Sequence, residues 1–173
     1  MPIRPVLSAA LIALAVPAFA TTGALPAAEA IALATTESRT WCAEQGGTLV
    51  LADNPDIATA VDLTEDGSAD DWIVNEAGAF CGPDLGYLGG SGGNMYHAVI
   101  GNRVYSWLAG AWVLQDIAFT IEGETQPPVR SLILALHGSA CDSFGAAPCL
   151  LALSWDGDRL ISHTPYVGEA DDE

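Results

Sequence analysis

The segment Asp62-Leu63-Thr64-Glu65-Asp66-Gly67-Ser68-Ala69-Asp70-Asp71-Trp72 places oxygen donors at alternating positions. Counting from Asp62, side-chain donors fall at positions one, three, five and nine: Asp62, Thr64, Asp66 and Asp70. The carbonyl of Ser68 falls at seven, and Gly67 at six suits a sharp turn that needs positive φ. A chain that curls with this alternation points every second oxygen inward. Calcium is hard and takes six to eight oxygens at about 2.3–2.6 Å, so the predicted chemistry is the binding of one calcium ion. Thr64 is a neutral donor, and Ile73 stands at position twelve. Water, Glu65 or Asp71 must then complete the shell, and the expected affinity is at the weak end, roughly 10⁻⁴–10⁻³ M. Asp and Gly also favour tight turns that bind nothing.

The segment resembles the D-x-[DN]-x-D-G-x-x-D calcium loops of EF-hands, dockerins and FG-GAP-type repeats. An EF-hand would carry a bidentate Glu at position twelve and a helix beyond it. Here Trp72-Ile73-Val74 reads as a strand, so the resemblance is closer to the FG-GAP style, a loop between two strands. A wider set of features resembles a group of uncharacterised small exported bacterial proteins: Gly46-Gly47, the Asp-Gly loop, Cys81, Gly90-Ser91-Gly92-Gly93, His137-Gly138-Ser139-Ala140-Cys141, Pro148-Cys149 and Trp155-Asp156-Gly157. That resemblance implies a calcium loop and cysteines paired around the glycine-rich stretch. Gly89 and Asn94 stand at the latter positions here, so one bridge of the pattern is missing. The group brings no activity with it.

Export is the expectation for the chain as a whole. Arg4 precedes an uncharged apolar run over residues 6–16, and Ala18-Phe19-Ala20 is a small-x-small cleavage site. This is the three-part pattern of a secretory signal over residues 1–20, and the run is short for a membrane span. Residues 21–25 read as a loose leader, 26–168 as one β-rich domain, and 169–173 as an acidic disordered tail. A periplasmic or secreted location follows. Four cysteines allow three pairings, and an even count in an oxidising compartment favours disulfides. Nearest neighbours in sequence give Cys42–Cys81 and Cys141–Cys149. The first would contribute about 4 kcal/mol by the chain-entropy model and the second somewhat less. No C-x-x-C spacing argues for a metal or redox site.

The formal net charge is −17, with 5 Lys+Arg against 22 Asp+Glu and no Lys at all. Phosphate contacts need clustered cations, so nucleic-acid binding is excluded, as is adhesion to an anionic membrane after signal cleavage. A cationic protein partner fits the charge. Ser91-Gly92-Gly93-Asn94-Met95-Tyr96 resembles the S-G-x-x-Y loop of bacterial lysozyme inhibitors, with one extra residue. That resemblance implies a periplasmic inhibitor or partner-binding module as the alternative function.

A third class, a metal-dependent enzyme, rests on less. His97, His137 and His163 would have to converge to hold zinc or copper, and their spacing does not demand it. His137-Gly138-Ser139 is too compressed for the usual Ser–His geometry, and G-x-S-x-G is missing. So many carboxylates make any one pair uninformative for glycoside chemistry. The stretch Gly89–Gly93 lacks the Lys and the helix of a phosphate cradle. The expected function is non-catalytic.

These residues need a frame. Pro26 suits a first helical turn, residues 27–45 are rich in Ala, Glu and Leu, and Gly46-Gly47 should stop the helix. Trp41 and Cys42 are expected to face the core. Strands are expected over 48–52, 57–63, 72–75, 96–100, 103–108, 112–121, 129–136, 150–155 and 159–162. Residues 78–93 read as irregular, Gly101-Asn102 and Asp156-Gly157-Asp158 as hairpin turns, Ala109-Gly110 as a turn, and 122–128 as a loop. Trp72, Trp107, Trp112 and Trp155 read as packing residues. The predicted fold is mainly β, an antiparallel sandwich or small barrel with one N-terminal helix.

Overall fold

The computed structural model describes residues 25–83, 86–118, 120–121, 124–144, 147 and 149–163. The predicted signal, most of the leader and the acidic tail lie outside the described residues. In chain order the elements are α1 (Ala27–Ala34), α2 (Thr36–Glu44), β1 (Thr48–Val50), β2 (Ala58–Val61), β3 (Asp71–Asn75), β4 (Phe80–Gly82), β5 (Gly86–Tyr87), β6 (Asn94–Ile100), β7 (Arg103–Ile117), β8 (Thr120–Ile121), β9 (Glu124–Thr125), β10 (Val129–Leu136), β11 (Cys149–Trp155) and β12 (Leu160–Ser162). The protein is mainly β, as expected, and its paired strands run antiparallel.

The expected single helix is two. Thr35 sits between them at φ −91°, ψ 8°, and its hydroxyl donates to the Ile31 carbonyl at 2.8 Å. Such back-bonding competes with the helix ladder and bends it. Pro26 precedes α1 as predicted, and Gly46 closes α2 at φ +81°. Gly47 is required for another reason. A Cβ there would lie 2.5 Å from Cys81 Sγ and 2.5 Å from the Gly82 carbonyl oxygen. Trp41 does not face the core. It is 45% exposed, while Cys42 beside it is fully buried. Leu25, expected to be loose, is anchored: its carbonyl accepts the Trp72 indole N–H at 2.8 Å, and its side chain packs near Val74 and Val99.

The main sheet has the order β12-β11-β10-β7-β6-β3-β2. Its pivot is β7, which runs unbroken through Ala109-Gly110, where a turn was expected. The residues up to Ala109 pair with β6, and those from Ala109 onward pair with β10. Leu136 lies opposite Ala109 and Ala135 opposite Ala111, so Gly110 is the extra residue of a bulge. A bulge kinks a strand and raises its twist, which lets one strand belong to two layers. The sheet therefore folds across β7 in a sandwich-like manner. Val61, Ile73 and Ala98 from one half meet Leu132, Leu134 and Leu153 from the other in the main core. Trp107, Trp112 and Trp155 pack against that core, as expected.

Two smaller clusters complete the packing. Ala30 and Ala34 of α1 cover Val74 and Val99 on the opposite face of the sheet. Cys42, Leu49, Ala79 and Cys81 bury the join between α2 and a small sheet of order β1-β4-β5. The strands expected over 48–52 and 57–63 thus enter different sheets. The glycine-rich region is more ordered than predicted, since it holds β4, β5 and a bridge between Gly90 and Gly93. The expected 122–128 loop contains β9, paired with β8. The two predicted hairpins are present, with Ile100 opposite Arg103 and Trp155 opposite Leu160.

Candidate functional site

The Asp-rich loop joins β2 to β3 and lies against the start of β10. The backbone turns at two residues of positive φ, Glu65 at 57° and Gly67 at 89°. Glycine pays no Cβ cost in that region, which is why Gly67 serves at the sharp point of the loop. The five predicted ligands do not share one environment. Asp62 Oδ1 and Thr64 Oγ1 are buried oxygens without a hydrogen-bond partner among the described residues. Asp66 is exposed, and its Oδ1 accepts from the Ser68 N–H at 2.8 Å. Ser68 is exposed and Asp70 half-buried. Among the described residues, no three His, Cys, Asp or Glu side chains gather closely enough to hold a metal.

Two residues hold the loop. Asp71, the first residue of β3, is 3% exposed. Its Oδ2 accepts from the Leu63 N–H at 2.9 Å and the Thr64 N–H at 3.1 Å. Burial raises its pKa above the ordinary carboxylate value, against the pull of those N–H groups and of the nearby Thr64 hydroxyl. By hydrogen-bond geometry that hydroxyl meets no partner among the described residues, and its pull on Asp71 is the weakest of the three. Arg130 grips the loop from β10. Its Nη1 donates to the Asp62 carbonyl at 3.3 Å and to Asp62 Oδ2 at 3.4 Å. Its Nε donates to Asp116 at 2.9 Å, and its backbone N–H donates to Glu65 Oε1 at 3.0 Å. Hydrogen bonding and charge from Asp116 raise the Arg130 pKa further. Arg130 was not singled out in the sequence. Its only signal was its rarity in a chain with five cations.

Cysteine pairing matches the sequence reading. Cys42 bonds Cys81 across a separation of 39, and Cys141 bonds Cys149 across 8. The bridges are compatible with an oxidising compartment. No described helix is long and apolar enough to cross a membrane.

The three histidines lie in three separate pairs, each with a serine. His137 Nδ1 meets Ser139 Oγ at 2.7 Å, His163 Nε2 meets Ser154 Oγ, and His97 Nδ1 meets Ser106 Oγ at 2.8 Å. The last belongs to a longer chain of hydrogen bonds. His97 Nε2 stands 3.2 Å from Glu76 Oε1, and Glu76 Oε2 accepts from Ser38 Oγ at 2.8 Å. His97 and Glu76 are 3% and 2% exposed, whereas Ser106 is exposed. The chain runs from α2 through β6 to the surface of β7. Sequence reasoning named His97 but missed both partners. The two-residue turn Gly101-Asn102 sets Ile100 opposite Arg103, and counting back from it sets His97 opposite Ser106.

The fold and these sites define a disulfide-bridged, mainly β domain with an Asp-rich loop. Comparison with protein-family models, curated proteins and solved structures returned no match.

Proposed function

We propose that this is an exported domain, periplasmic or secreted, whose 62–70 loop binds one structural calcium ion. The observation that carries the reading is the pair of buried oxygens without hydrogen-bond partners among the described residues, Asp62 Oδ1 and Thr64 Oγ1. They are the first two side-chain donors of the predicted loop. A buried acceptor left unpaired costs about 1–3 kcal/mol, and a hard cation satisfies both at once. The positive φ at Gly67 suits the required curl. Asp66 and Asp70 complete the donor set when their side chains turn inward, with Ser68 contributing its carbonyl and water the remainder.

In this reading the ion joins the two layers of the sandwich. The loop leaves β2 in one half, and Arg130 already ties it to β10 in the other. An ion that binds only the folded chain stabilises it by mass action. Thermal melts of the oxidised protein with calcium and with chelator test this. Calcium is expected to raise the midpoint, and Asp66→Ala to remove the rise. An unchanged midpoint at millimolar calcium rejects the site.

A further inference from the structure

We propose that Ser106 is an activated nucleophile, with His97 as its general base and Glu76 as the residue that orients the base, and that its substrates are small acyl esters. Glu76 sets the tautomer of His97. Glu76 Oε1 faces His97 Nε2 at 3.2 Å, and a carboxylate there accepts a hydrogen bond from the ring N–H. With Nε2 carrying the hydrogen, Nδ1 presents its lone pair to Ser106 Oγ at 2.8 Å. The logic is that of any nucleophile, base and orienting acid, recognised by role and geometry rather than by order in the chain. Glu76 is held in turn by Ser38 at 2.8 Å.

Access and surroundings distinguish this serine. His97 and Glu76 are buried, so the base is shielded from water on its acid side, while Ser106 is exposed. Val104 and Leu108 flank it on the same face of β7, 37% and 47% exposed. They offer an apolar shelf to a short acyl group. Pairing with β10 begins only at Ala109, so the outer edge of β7 beside Ser106 has no strand partner among the described residues. Alternate backbone N–H groups of such an edge point outward and are the available donors to an oxyanion. Ser139 also meets a histidine nitrogen, but His137 has no carboxylate partner among the described residues, which makes Ser139 an internal reference.

The reaction balances within the chain and water. Ser106 Oγ attacks the ester carbonyl carbon as its proton passes to His97 Nδ1. The ester C–O bond breaks, and that proton leaves with the alcohol. Water then attacks the acyl-serine, giving its proton to Nδ1. Breakdown releases the carboxylic acid and returns the proton to Ser106. No oxidant or reductant is needed.

The test uses the oxidised full domain, a fluorophosphonate probe and p-nitrophenyl acetate. A fluorophosphonate reports the same activation, since Oγ attacks phosphorus and fluoride departs. The expected result is labelling at Ser106 by peptide mapping, at least ~10²-fold faster than at Ser139, since both serines have a histidine beside them and loss of the orienting carboxylate alone costs a triad that much or more. Ser106→Ala should abolish the labelling and the ester hydrolysis, and Ser139→Ala should change neither. Glu76→Gln should slow Ser106 by a similar factor, and Glu76→Asp should recover part of the rate. Ring ¹⁵N spectra should show the Nε2–H tautomer of His97 in the parent and its loss in Glu76→Gln, a signature that a purely structural role for Glu76 would not move. If the Glu76 variants do not fold, the exposed Ser106→Ala and the Ser139 reference decide the matter. No label at Ser106, or equal labelling at Ser139, overturns the proposal.

Discussion

Asp71 and Asp156 perform the same local task in two different segments of the chain, and their acidities move in opposite directions. Each carboxylate accepts from two backbone N–H groups. Asp71 Oδ2 takes Leu63 and Thr64 at 2.9 and 3.1 Å, while Asp156 Oδ1 takes Asp158 and Arg159 at 2.9 and 2.8 Å. Asp156 is exposed, and its pKa is lowered, first by the N–H of Arg159 and then by that of Asp158. Asp71 is buried, and desolvation outweighs the same kind of hydrogen bond, so its pKa is raised. Hydrogen bonding alone does not set the protonation state of a capping aspartate. Water decides between them.

The partners differ in reach as well. Asp156 bonds residues two and three positions ahead, whereas Asp71 bonds residues seven and eight positions behind. Truncating Asp71 therefore unties a loop from a strand and strands two N–H groups near the core. Asp71→Ala is expected to cost about 3 kcal/mol, read by urea denaturation, because each unpaired buried donor costs about 1–3 kcal/mol. Asp156→Ala leaves its N–H groups free to bind water and should cost clearly less. Equal losses would break the comparison.

That difference in reach also marks where the sequence stops being readable. The Asp156 turn is legible because its partners are inside the motif, and the Gly101-Asn102 hairpin for the same reason. The latter even sets His97 opposite Ser106. Glu76 lies one residue beyond β3, and its meeting with His97 depends on β3 pairing beside β6, which no turn between them dictates. Gly110 misled in the other direction. Next to Ala109 it has the composition of a turn, yet the β10 side of the sheet recruits β7 across it and makes a bulge. Trp41 was misplaced for a local reason: adjacent helix positions point about 100° apart, and α2 turns Ser38 and Cys42 inward, one turn apart, which leaves Trp41 exposed. The cysteine pairs were legible because proximity in sequence was enough. Within the loop, the donor spacing was visible, but Arg130's grip on Asp62 was not, since it crosses from the other half of the sandwich.

Calcium sharpens the contrast between the two aspartate turns. With an affinity near the weak end for extracellular modules, about 10 mM calcium should add about 2 kcal/mol of stability. Asp66→Ala should erase that gain, whereas Asp156→Asn should keep it, because Asp156 lies outside the 62–70 loop and supplies none of its donors. Loss of the gain in Asp156→Asn would place the ion elsewhere. Thr64→Val is a finer probe. Valine removes a buried hydroxyl that has no partner, so the chelated protein should gain up to about 1 kcal/mol while losing its response to calcium. A destabilised chelated variant would show that the hydroxyl is satisfied by Asp71 instead.

The smallest effect is the most diagnostic of how burial separates Asp71 from Asp156. Asp71 has a raised folded pKa, so its contribution to stability is complete below the ordinary value of 3.8 and is lost as pH rises through the folded pKa. Asp156 has a lowered folded pKa, so its contribution is present above 3.8 and is lost as pH falls through the folded pKa. Asparagine keeps a carbonyl acceptor at either site and removes the titration. Relative to the parent, Asp71→Asn should therefore gain stability as pH rises from below 3.8 through the folded pKa of Asp71. Asp156→Asn should lose stability relative to the parent as pH rises from the lowered folded pKa to above 3.8. Guanidinium melts of the three proteins across the acid range read both slopes. Slopes of the same sign would mean that the Leu63 and Thr64 N–H groups, rather than burial, govern Asp71.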